Sequence, residues 1–347
     1  MKDRRPPTTT SGFRAWAQLV RLPNVFTILA DVTAAFMLVL GGSGWASAER
    51  LGRVGWFDVI PTMLILWSAA VALYWGGMVL NDVVDVRRDA RARLNRPLPR
   101  REIRYQTANV IAYGLLASGV VVAAWISSEC VVLSILLVSA IVAYDGPLKR
   151  RWYAPFVMGI CRLLSFSLGA ATAVAAIEPR SGWQSATFTT QSALGTDIIL
   201  GLPAVAMAAA IGMGTYVTGI TTFARREAIG DRTIHLTLGL IGFVCGGAII
   251  AFAPYLGDVG SNAWRVDAGR VFPIAIVLIL MPTMRRAWTA QRNPSPPAIK
   301  RTIRSALLAI IPIGAAITMM AVGPIAGAAV LSLLVPSAAL ARVMAMT

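Results

Sequence analysis

The sequence predicts an all-α, polytopic membrane protein. Three observations carry that prediction: an apolar composition, repeated hydrophobic stretches of spanning length, and basic residues gathered in alternate loops. Of the 347 residues, 56% are hydrophobic and 14% charged, whereas a soluble domain has about 45–50% apolar and about 25% charged residues. Charge is too scarce to cover a water-facing surface. Several stretches reach the ~20 apolar residues that a helix needs to cross the hydrocarbon core.

Residues 1–21 read as a basic, Pro/Thr-rich cytoplasmic tail, disordered at its start, before an uncleaved first helix. Candidate spans follow at 22–42, 57–82, 104–125, 129–145, 154–177, 197–222, 233–256 and 269–288. The remaining apolar tail, 303–343, is interrupted by Pro312, Gly323-Pro324 and Pro336. It reads either as two spans or as one span with an interfacial segment. No long polar stretch separates these elements, so residues 22–347 form a single transmembrane domain.

The formal charge of +16 would point to nucleic acid in a soluble chain. Here the cations fall in the loops after even-numbered spans, which makes membrane lipid headgroups their partner and excludes nucleic acid. Arg87, Arg88, Arg91, Arg93, Arg96, Arg100, Arg101 and Arg104 crowd the first such loop, and Lys149, Arg150 and Arg151 the next. The positive-inside rule then places these loops and the N-terminus in the cytoplasm. A single histidine, His235, and three scattered cysteines give no pattern for a zinc or haem site.

The chemistry gathers after the second span, in Asn81-Asp82-x-x-Asp85-x-x-x-Asp89. The i, i+3, i+7 spacing puts three carboxylates within roughly 60° of one another on a helix. They stand at a helix C-terminus, where the dipole adds to the attraction for a cation. Mg²⁺ typically takes one or two carboxylates and completes its shell with water and phosphate oxygens, which suits such a cluster. The bland alternative pairs Asp85 and Asp89 with Arg88, Arg91 or Arg93. Tyr144 to Arg151, reading YDGPLKRR, ends the fourth span with a Gly146-Pro147 turn and three cations. These could hold diphosphate oxygens or serve as ordinary anchors. Asp31 and Arg162 lie inside spans and read equally as cavity-lining groups or as a buried pair.

The run N-D-x-x-D-x-x-x-D, then Asn95-Arg-Pro-Leu-Pro99, after an early Arg21-Leu-Pro-Asn24, resembles the UbiA superfamily of intramembrane prenyltransferases. The Tyr144 to Lys149 loop is similar to that family's feature after its fourth helix. The resemblance implies about nine transmembrane helices ringing a central cavity. It also implies Mg²⁺ as cofactor, with an isoprenyl diphosphate and a lipophilic or aromatic acceptor as partners. Ionisation of the diphosphate would yield an allylic carbocation that the acceptor attacks. By matching, Asp82, Asp85 and Asp89 would hold Mg²⁺ and serve catalysis. Asn81, Arg96, Tyr144 and Lys149 would contact the diphosphate, and Asn24 would line the pocket.

One departure stands at the end of the sixth span, where the family carries a second aspartate-rich motif. This chain reads Tyr216-Val-Thr-Gly-Ile-Thr-Thr-Phe-Ala-Arg-Arg-Glu227, which looks like the EboC branch of the superfamily. Arg225, Arg226 and Glu227 are therefore expected to contribute to substrate binding, the two arginines replacing part of the charge a second metal would supply. Two functions are weighed: Mg²⁺-dependent prenyl transfer, and a non-catalytic role in binding or exporting a hydrophobic metabolite. The expected location is a bacterial inner membrane.

Overall fold

The computed structural model describes residues 12–42, 56–91, 96–149, 151–177, 198–199, 201–229, 233–256 and 264–345. At 56–58, 198–199, 226–229, 233 and 344–345 it describes the main chain only. The expected disorder before residue 12, and Asn95, Arg93 and Arg150, lie outside the described residues.

Helices account for nearly all of the structure. A short α1 (Gly12–Leu19) and a 3₁₀ turn (Leu22–Asn24) lead into α2 (Val25–Gly42), followed by α3 (Trp56–Arg91), α4 (Tyr105–Ala124) and α5 (Ser128–Asp145). Next come α6 (Ala154–Ile177), a minimal two-strand ladder (Ile198–Ile199 with Leu202–Pro203), α7 (Ala204–Ile229) and α8 (Thr233–Phe252). The chain closes with α9 (Val271–Arg292), α10 (Pro296–Val322), α11 (Pro324–Ser332) and α12 (Leu334–Ala345). Among the described residues, ten segments are long and apolar enough to span a membrane, and the protein is an integral, multi-pass membrane protein.

The tenth span settles the alternative left open for 303–343. A 27-residue α10 crosses first. Gly323, at φ 124°, then reverses the chain in a conformation that L side chains rarely adopt. The returning span is broken at Leu333 into α11 and α12, and Ser337 Oγ of α12 donates to Pro23 O at 3.0 Å. Residues 12–19, within the stretch read as tail, instead form a helix that buries Ala15 and Leu19.

Burial divides the spans. In α2, 83% of the spanning window is buried, against 22% in α5, so α2 is a central strut and α5 a lipid-facing wall. Close approach at the centre depends on small residues. A Cβ on Gly242 of α8 would lie 2.6 Å from Gly219 Cα of α7, and one on Gly219 would lie 2.8 Å from Gly239 O. Gly169, on α6, meets Val32 O of α2 in the same way. The outer surface carries large apolar side chains such as Val110, Val121, Ile274 and Leu278, which suit lipid rather than water.

Two terminations position the site. At 36 residues, α3 is about 54 Å long at 1.5 Å per residue, well beyond the ~30 Å hydrocarbon core. The helix is thus longer than the membrane interior is thick, and the aspartates lie in its last turns. α5 ends at Asp145 because Gly146 and Pro147 cannot continue the helix, which sets Asp145 and Lys149 beside α3.

Candidate functional site: an aspartate cluster held by cations

The end of α3 is a network of carboxylates, each already held by a cation. Arg96 Nη1 donates to Asp82 Oδ1 at 3.0 Å and to Asp89 Oδ2 at 2.7 Å. Lys149 Nζ donates to Asp85 Oδ2 at 2.7 Å and lies 3.5 Å from Asp145 Oδ1. Asn81 Nδ2 donates to Asp145 Oδ1 at 2.6 Å. The guanidinium of Arg21 adds a longer contact of 3.6 Å to Asp82. Asp82, Asp89 and Asp145 are buried, so these partners are what make their ionisation tolerable.

The sequence brings the cations there by local means. In 96–104, Arg100 N bonds Arg96 O and Arg101 N bonds Leu98 O, closing consecutive turns. Leu98 and Ile103 are buried in the core. That anchorage folds the Arg-Pro-Leu-Pro segment back so that Arg96 faces α3. Arg21 adopts φ 49° and ψ 52°, left-handed space that a non-glycine residue enters at a cost of about 1 kcal/mol or more. The strained turn starts the Arg21-Leu-Pro-Asn24 motif and aims Arg21 at Asp82.

Of the residues singled out from sequence, Asn81, Asp82, Asp85, Asp89, Arg96 and Lys149 converge here. The pairing with Arg88 or Arg91 does not occur. Tyr144, half-buried, precedes Asp145 on the same helix end. Asn24 lies on the wall of a separate cavity of about 200 Å³ with Thr27, Arg304 and Ser337. Arg225 does not join the cluster. Its guanidinium donates to Trp152 O at 2.9 Å and to Arg151 O, pinning the α5–α6 connection. The side chains of Arg226 and Glu227 lie outside the described residues. Two members of the network, Asp145 and Arg21, were passed over in the sequence, although each sits inside a motif already marked.

Asp31 and Arg162 form a buried pair, Nε to Oδ2 at 2.8 Å. The contact is close but too poorly directed to be a hydrogen bond, leaving both Asp31 oxygens without one. Arg162 Nη2 also donates to Thr27 O at 2.8 Å, tying α6 to α2.

Among the described residues, no three His, Cys, Asp or Glu side chains converge closely enough to hold a metal ion by themselves. The donors at the end of α3 are nonetheless all hard oxygens. They fit Mg²⁺, which keeps few protein ligands and takes the rest from water and substrate phosphate.

Known proteins resemble the chain in sequence and in fold. A digeranylgeranylglyceryl phosphate synthase of Metallosphaera sedula is 30% identical over 154 residues, covering 44% of this chain and 49% of that protein. One from Sulfurisphaera tokodaii is 27% identical over 139 residues, covering 40% and 45%. The alignments thus span about half the length of these relatives. A solved UbiA homologue from Aeropyrum pernix K1 superposes with a TM-score of 0.58 at 16% identity, over 85% of this chain and 96% of that one. One from Archaeoglobus fulgidus, bound to GPP and Mg²⁺, gives 0.54 at 14% identity, over 92% and 99%. At those identities the likeness shows the shared fold. The sequence pattern of the UbiA prenyltransferase family matches residues 32–311, and the chain belongs to that family.

Proposed function

We propose that the protein is an Mg²⁺-dependent prenyltransferase that takes an isoprenyl diphosphate and passes its prenyl group to a lipophilic acceptor. The observation that carries this reading is the pairing at the end of α3. Carboxylates suited to a metal and cations suited to a diphosphate neutralise one another there. Metal and diphosphate together would exchange those partners: Asp82, Asp85 and Asp89 would hold the cation, and Arg96 and Lys149 would hold phosphate oxygens. Charge is conserved in that exchange, so neither group is left buried and unpaired.

Arg96 offers a planar fork and Lys149 a point charge, and both stabilise negative charge that grows on the departing diphosphate. Asn81 holds Asp145, which in turn helps to hold Lys149. When bound, Mg²⁺ would add Lewis-acid stabilisation of the same leaving group. The named relatives are digeranylgeranylglyceryl phosphate synthases, and solved homologues hold DMAPP or GPP with Mg²⁺. These support the donor class and the metal. The acceptor is set less closely, because the end of α7 presents threonines and Arg225 where the family carries carboxylates. That stretch supports placement in the EboC-like branch.

The arginine distribution supports a cytoplasmic position for the aspartate end. The named relatives are archaeal and lend nothing to the expectation of a bacterial inner membrane. Incubating purified protein with Mg²⁺, a panel of prenyl diphosphates and a lipid extract, and following diphosphate by mass spectrometry, tests the proposal. Release that depends on Mg²⁺ is expected. Binding without release at any chain length would favour the non-catalytic, metabolite-binding alternative.

A further inference from the structure

The last turns of α3 carry a second face. Val84, Arg87, Arg88 and Arg91 fall at i, i+3, i+4 and i+7, on the side of the helix turned away from Asp82 and Asp89. They line a cavity of about 550 Å³ closed on its far side by the Gly146-Pro147 turn and Lys149. Asp85 and Asp145 also border it, but Lys149 and Asn81 already hold both carboxylates.

All three arginines are exposed, and none forms an ion pair with a described residue. Like charges three and four residues apart on a helix repel one another. Cations that merely obey the positive-inside rule can fan out into water, whereas these converge on one concavity with a lysine in its opposite wall. Guanidinium forks match phosphate oxygens, and a phosphomonoester carries nearly two negative charges at neutral pH. A single carboxylate would leave most of the positive charge uncompensated. Val84, 47% exposed on the same face, adds apolar surface for the lipid portion of an amphiphile.

We propose that this cavity is a second anion site, which takes the phosphate group of an amphiphilic acceptor and adjoins the diphosphate site through the shared Asp85–Lys149 wall. Its role as an acceptor site rests on the prenyl transfer proposed above. Its capacity to bind phosphate does not. The donor site draws on Arg96 and this cavity on Arg87, Arg88 and Arg91, with Lys149 on the wall between them, so donor and acceptor phosphates do not compete for the same guanidinium groups.

Native mass spectrometry of the protein in neutral detergent, titrated with dioleoyl phosphatidic acid and with dioleoylglycerol, tests the site. The Arg87→Gln/Arg88→Gln/Arg91→Gln variant is expected to lose about tenfold or more in apparent affinity for phosphatidic acid. A charge-matched control at the end of α9, Arg285→Gln/Arg286→Gln/Arg292→Gln, is expected to stay within about twofold. An equal loss in both variants, no loss in either, or wild-type binding of dioleoylglycerol as tight as phosphatidic acid would overturn the proposal. Displacement of the lipid by inorganic phosphate would keep the phosphate site and overturn its lipid-borne source, whereas retention of the lipid supports that source. Mg²⁺-dependent binding of geranyl diphosphate, measured on the same samples, should be unchanged in the triple variant. Its absence in the wild type would sink the proposed transfer, leaving the phosphatidic acid result to decide the anion site by itself.

Discussion

The ends of α3 and α7 lie at the same side of the bundle and follow the same logic of chain entry, yet they differ in how their polar groups are used. At the end of α3, the functional groups reach across to other segments: Arg96 from the following turn, Lys149 from beyond α5, Arg21 from before α2. At the end of α7, Thr218 and Thr222 fold their hydroxyls back onto Gly214 O and Thr218 O of their own helix, and Thr221 bonds Val217 O. Arg225 is engaged by two main-chain carbonyls. The first end is an exchangeable charge network, and the second is a clamp. The proposed function thus rests donor binding on one carboxylate cluster, while the α7 arginine expected to replace a second metal fixes the α5–α6 connection.

Among these single substitutions, the largest effect on diphosphate binding should come from breaking the network at its cation. Arg96→Ala leaves Asp82 and Asp89 buried without their main partner. Diphosphate affinity should fall by about 10–100-fold, and the free protein should lose about 2 kcal/mol, less than a fully buried pair because Arg96 is partly exposed. Thermal unfolding in detergent should show Mg²⁺ recovering part of that loss. Arg96→Lys, with one point charge for two carboxylates, should fall between the two proteins.

A second break tests whether stability and function are separable. Arg162→Ala strands Asp31 in the core and should cost about 3–5 kcal/mol. Arg162→Leu combined with Asp31→Leu should recover most of it. If the double replacement unfolds as readily as the single one, the pair contributes more than mutual neutralisation.

The smallest effect should come from the clamp. Arg225→Ala should leave diphosphate affinity within about twofold, as exposed contacts generally do. It should instead raise amide exchange around Arg151 and Trp152. A tenfold fall in affinity would place Arg225 in the donor site after all and erase the contrast between the two helix ends.

Much of this arrangement was legible in the sequence, for identifiable reasons. The i, i+3, i+7 spacing alone puts Asp82, Asp85 and Asp89 on one face, and the loop arginines set the register of the spans. What spacing does not contain is which cation meets which carboxylate. Arg88 and Arg91 are nearer in sequence to Asp85 and Asp89, but Arg91 lies across α3 from Asp89, and Arg88 borders the same cavity as Asp85 without pairing with it. Arg96 wins because buried Leu98 and Ile103 pull the following turn back onto the helix. Arg21 was hidden by a left-handed backbone that no propensity favours. Asp145 was hidden by its neighbours in a motif read for its tyrosine and lysine. The tenth span depends on Gly323 reversing the chain, which length and hydropathy do not encode.

The most direct measurement is calorimetric titration of geranyl diphosphate into wild-type protein and the Asp82→Asn/Asp85→Asn variant, each with Mg²⁺ and with EDTA. Wild type should bind only with Mg²⁺, and the variant, equal in shape but two charges short, should lose more than about 100-fold in affinity. Equal affinity in the two proteins, or wild-type binding indifferent to EDTA, would contradict the assignment of the α3 aspartates to metal and diphosphate.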